Sequence, residues 1–83
     1  MNRKALYSRL TRGAANNVKI TDIVDLAEGF GFTLRRISGS HHILEHPAIP
    51  EIVNLQQQGR DAKAYQIRQF LRLIEAYNLK LKE

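Results

Sequence analysis

Cysteine is absent from these 83 residues, and so is tryptophan. The first absence excludes disulfide staples, thiolate nucleophiles and cysteine-ligated zinc. A secreted domain of this size ordinarily needs disulfides, so a cytoplasmic location is expected. No run of 18 apolar residues is present, which excludes a membrane-spanning helix. The first 20 residues also lack the unbroken apolar stretch of a secretory signal. With only six aromatic residues, most of them in apolar stripes, a stacking platform for single-stranded RNA is not expected. No glycine-rich phosphate loop is present. Shortness excludes barrels and dinucleotide-binding sheets, because a chain of this length buries only roughly 60–65% of its unfolded surface. The expectation is one domain spanning residues 1–83, without internal repeats.

Acid is missing from the start of the chain. Residues 1–21 hold Arg3, Lys4, Arg9, Arg12 and Lys19 and no carboxylate, whereas residues 22–83 hold eight bases and eight acids. The whole net charge of +5 therefore sits in the first quarter. Such a segment suits an acidic partner, either nucleic-acid phosphate or an acidic protein, although a basic soluble surface has the same composition. An acid-free, arginine-containing start is also the signature of a mitochondrial transit segment, but its removal would leave only about 60 residues to build a core.

Residues 3–12 read as a short basic helix with a narrow apolar stripe at Leu6, Tyr7 and Leu10, so residues 1–19 form a basic helix and linker ahead of a core at 20–79. Thr21 is the expected N-cap of the next helix, with Asp22 and Asp25 near its positive end. Ile23, Leu26, Ala27 and Phe30 keep the helical period, and Gly29 and Gly31 offer a left-handed stop. Three short strands follow, at Phe32–Ile37, His41–His46 and Ile52–Leu55, with Gly39-Ser40 as a turn and Gly59-Arg60-Asp61 as a break. The last helix runs from Lys63 to about Tyr77, with Ala64, Ile67, Phe70, Leu71, Ile74 and Tyr77 on its core face. Gln66, Gln69 and Arg72 are expected on its outer side, and Tyr65 in the core. The fold class is α+β: two layers, a three-stranded antiparallel sheet with helices on one face and an extra N-terminal helix.

Reactive side chains concentrate between Arg35 and His46, which includes all three histidines. On a strand, His42 and Leu44 share one face while His41, Ile43 and Glu45 share the other, so only one of the paired histidines faces solvent readily. A metal site fails on spacing: His42 and His46 lie roughly 13 Å apart at about 3.3 Å per residue. General acid–base chemistry fits better, since imidazole titrates near neutral pH. RNA carries its own nucleophile, the 2′-hydroxyl, so a base, an acid and nearby positive charge suffice to cleave it. His41 or His42 with Arg35 or Arg36 supplies these groups without a cofactor. Spacing alone favours the simpler arrangement of one half-buried strand histidine and one solvated one.

Gly39-Ser40-His41-His42, followed by Ile43-Leu44 and His46-Pro47, resembles the HicA family of toxins from prokaryotic toxin–antitoxin pairs. The surroundings agree: a helix ending at Gly31-Phe32, a strand with Arg36-Ile37, and a closing Tyr65-Gln66-Ile67-Arg68-Gln69-Phe70-Leu71 helix, so the likeness covers about residues 20–79. The resemblance implies a double-stranded-RNA-binding-domain-like fold, a metal-independent endoribonuclease that cleaves mRNA and arrests translation, and neutralisation by a HicB-like antitoxin. It maps the active histidine to the Gly-Ser-His-His motif, so to His41 or His42, of which His41 is favoured. RNA contacts are expected from Gly39, Ser40, Arg35, Arg36, Lys63 and Arg68. The chain departs from the pattern twice. It adds the helix at 3–12, and it has Asn54-Leu55-Gln56 where many members carry a Pro-x-His step. The readings that compete with catalysis are a non-catalytic RNA-binding module of the same fold and a protein-interaction subunit.

Overall fold

The computed structural model describes residues 1–82. Its elements are α1 (Arg3–Thr11), α2 (Ile20–Gly29), β1 (Thr33–Ser38), β2 (His41–Glu45), β3 (Val53–Gln58), β4 (Asp61–Ala62) and α3 (Ala64–Ala76). The strands form one antiparallel sheet in the order β1-β2-β3-β4. Helices cover one face, as the α+β expectation requires.

Glycine chemistry sets the corners. After α2, Gly31 takes φ +98°, and the Phe32 amide donates back to the Ala27 carbonyl at 3.1 Å. This closes the helix with a Schellman-type stop. A Cβ on Gly31 would lie 2.8 Å from His46 Nε2, so the position excludes a side chain on two counts. Gly39 has φ +59° and Gly59 has φ +64°, while neither Ser40 nor Arg60 has positive φ. Both two-residue loops therefore have the II′ pattern that matches strand twist.

The second of these loops corrects the sequence reading. Gly59-Arg60 does not end the sheet; it turns β3 into a fourth strand, pairing Gln57 with Ala62 and Gln58 with Asp61. The third strand consequently runs to Gln58 rather than stopping at Leu55, and Ile52 lies outside it, exposed. Thr21 is not the N-cap of α2. Lys19 occupies that place in an extended conformation without a side-chain cap, held by a bridge to Asp61.

The core lies between sheet and helices. Ile23, Leu26 and Ala27 from α2, Leu44 and Leu55 from the sheet, and Ile67 and Phe70 from α3 are buried. Phe70 meets Phe30 and Phe32 edge-on, at centroid distances of 6.1 and 5.6 Å. The basic helix α1 joins this layer through Leu6 and Leu10, and Tyr7 packs on Phe30. An ion pair between Arg3 and Asp25, 2.9 Å, ties α1 to α2. The Arg3 guanidinium holds the Asp25 carboxyl below the usual carboxylate range.

Two assignments on α3 are reversed. Gln66 is buried, and its Oε1 accepts from the Gln56 backbone amide. Tyr65, expected in the core, is 48% exposed. The Gln56 carbonyl also accepts from the Lys63 amide at 3.0 Å, so both backbone polar groups of Gln56 are bound by the start of α3. Those two bonds, one of them made by a buried glutamine, dock the third strand on the helix layer.

Candidate functional site

The register of β1, β2 and β3 decides what each face carries. Ser38 opposes His41, which opposes Gln56; Arg36 opposes Ile43, which opposes Asn54. Directly opposed residues share a face. The open face of the sheet thus gathers Arg36, Ser38, His41, Ile43, Asn54 and Gln56. The covered face carries Ile37, His42 and Leu55 in the next row.

The two adjacent histidines therefore part company. His41 is half-buried on the open face, and its Nδ1 lies 3.1 Å from Asn54 Oδ1. Asn54 is the diagonal neighbour across the β2–β3 pair, within reach of a long side chain. In this amide orientation the Asn54 oxygen can only accept, so His41 Nδ1 carries the proton and donates. In the neutral ring Nε2 is then the lone-pair nitrogen. His42 is 8% exposed, packs on the helix side, and its Nδ1 has no hydrogen-bond partner among the described residues. His46 falls just after β2. Its Nε2 donates to the Phe30 carbonyl at 3.1 Å, its Nδ1 accepts from the Ala48 amide at 3.0 Å, and its ring packs on Phe32. Among the described residues, no three His, Cys, Asp or Glu side chains are placed to hold a metal ion.

The expected phosphate contacts divide in the same way. Gly39 and Ser40 form the turn next to His41, and the Ser40 carbonyl accepts from the Gln57 amide at 2.7 Å. Arg36 is exposed on the His41 face. Arg35 sits at a bulge, where the register shifts between Leu34 and Arg36, and reaches Glu45 at 3.3 Å. Lys63, the N-cap of α3, adjoins Gln56 and hence the row of His41. Arg68 is exposed on α3, in the helix layer, and is not brought to the His41 face. The cations of α1 also belong to the helix layer.

Asn54 is the functional candidate that sequence reasoning missed. It entered only as a departure from a family pattern. The available signal was spacing: with His41 opposite Gln56, the residue two before Gln56 lies on the same face.

A groove of about 470 Å³, lined by residues such as Tyr7, Phe30, Ile74 and Leu81, includes none of the histidines. Glu75 and Lys80 also line it, and it lies on the helix side, away from the open sheet face that carries His41. No described helix is long and apolar enough to cross a membrane.

The chain matches a family model described as HicA toxin of bacterial toxin-antitoxin over residues 20–76, which is 57 of its 83 residues. That span contains the whole sheet, α2, α3 and the histidine pair, and leaves α1 outside. No curated protein and no solved structure matches the chain.

Proposed function

The chain belongs to the family of HicA toxins of bacterial toxin–antitoxin systems, and from that premise we propose that it is an endoribonuclease using His41 on mRNA. The toxin acts alongside an antitoxin partner. The observation that carries the catalytic reading is the His41–Asn54 pair, 3.1 Å apart on the open sheet face beside Arg36. Asn54 fixes the ring and its tautomer, as second partners of catalytic histidines do. Nε2 accepts the proton of the RNA 2′-hydroxyl as that oxygen attacks the adjacent phosphorus. The bond from phosphorus to the 5′-oxygen breaks, and the leaving oxygen takes a proton from water, which is itself reprotonated from His41 Nε2. Arg36, with Arg35 and Lys63 at the margins, supplies positive charge for the phosphate. Gly39 and Ser40, in the turn beside His41, border the phosphate, with open space around Gly39.

His42, on the opposite face of the sheet and 8% exposed, has no direct part in this reading. A HicB-like antitoxin silences the toxin by covering the His41 face with an acidic surface, and RNA and antitoxin compete for it. The mechanism uses no metal. Cleavage in excess chelator, followed by end-group analysis, tests it. The expected products are a 2′,3′-cyclic phosphate and a 5′-hydroxyl; a 3′-hydroxyl with a 5′-phosphate, or loss of activity on chelation, contradicts it.

A further inference from the structure

The sheet has two edges, and the chain treats them differently. On the β4 side, Lys19 bridges to Asp61, and the Ala62 amide donates to the Val18 carbonyl at 2.8 Å. That edge is closed by the chain itself. The outer edge of β1 has no paired strand among the described residues, and five of its six residues are exposed. It contains no proline, and about half of its backbone donors and acceptors point away from β2. Beside it, between β1 and α2, runs a groove of about 360 Å³. Val24, Leu34, Ile37 and His42 line it, as do Asp25 and Glu28. Ile37 remains 57% exposed there.

We propose that the outer edge of β1 takes up a β-strand of another protein, one in which acidic and apolar side chains alternate. Strand addition satisfies the free backbone groups, and alternate side chains of the added strand then meet different surroundings. Those on the helix side enter the groove against Leu34, Ile37 and Val24, so they are apolar. The Glu28 carboxylate, which also lines the groove, disfavours acids in that row. Those on the open side lie beside Arg35 and Arg36, so they are acidic. Arg35 already holds one carboxylate across the β1–β2 pair, Glu45 at 3.3 Å. A second copy of this chain is the poorer occupant, because antiparallel pairing of β1 with itself sets arginine against arginine. The inference is independent of the nuclease reading, since strand addition involves no RNA.

The test is a titration of isotope-labelled protein with a capped nine-residue peptide alternating valine and glutamate, read by amide shifts and hydrogen exchange. Slowed exchange confined to residues 33–38 is expected, with at least about 10-fold weaker binding of the valine–lysine peptide. A peptide N-methylated along one edge should not bind. In the R35E/R36E variant, whose spectrum reports its fold, the preference for glutamate over lysine should reverse. No protection of β1 at millimolar peptide, protection centred elsewhere, or equal binding of both peptides overturns the proposal. Concentration-dependent protection of β1 without peptide also overturns it, in favour of a second copy.

Discussion

Gln66 is the residue whose loss should report most clearly on how the third strand is held. Its Oε1 accepts from the Gln56 amide, and Gln56 lies opposite His41. Replacement by leucine preserves most of the volume but removes the acceptor, leaving a partly buried N–H without a partner. Such an orphan costs about 1–3 kcal/mol. An 83-residue domain has a total stability of about 4–12 kcal/mol. The substitution thus removes a sizeable fraction, and a loss of about 2 kcal/mol lowers Tm by roughly 8–16 °C in a domain this small. Thermal and urea denaturation of Gln66→Leu measure this directly, and Gln69→Leu, on the exposed side of the same helix, is the control. The Gln56 amide should also exchange faster than its neighbours in Gln66→Leu. A Tm within 2 °C of the parent, half of the roughly 4 °C that a loss of only about 1 kcal/mol implies, would refute the reasoning.

Other expectations follow from the same geometry. His42→Leu removes a buried nitrogen with no partner among the described residues, so stability from urea unfolding should rise by about 1 kcal/mol while RNA cleavage is retained. Asp25 has its pKa lowered in the folded state by Arg3, so the pair stabilises above the unfolded carboxylate pKa and this is lost as pH falls through the folded value. The pair is largely solvated, so the effect is well under about 1 kcal/mol, and Arg3→Gln should abolish that part of the acid titration of stability. Arg36→Gln should flatten the salt dependence of RNA binding by about one unit of log–log slope. Changing Arg9 and Arg12, in the helix layer, should leave cleavage at saturating RNA unchanged.

Much of this was legible in the sequence where a pattern repeats often enough. The apolar positions from Ile67 to Ile74 mark the face of α3, and Gly39-Ser40 between β-branched runs marks the first hairpin. β4 was not legible, because two residues are too few to show an alternation, and Gly59-Arg60 then looks like a break rather than a turn. Gln66 was placed outside by residue type, yet a glutamine is the acceptor that the Gln56 amide requires; only the docking of β3 against α3 creates that need. The same applies to Lys19, which starts α2 because its backbone is held against Asp61, not through any side-chain cap. For the site, strand periodicity separated His41 from His42 correctly. It could not name Asn54, since that contact depends on the register between β2 and β3.

The most direct test of the account is RNA cleavage by His41→Ala beside His42→Leu, each shown folded by its amide spectrum and assayed in excess chelator. If His41 is the acid–base group, its removal lowers the single-turnover rate by about 100-fold or more, and His42→Leu cleaves like the parent. Full activity in His41→Ala would contradict the account.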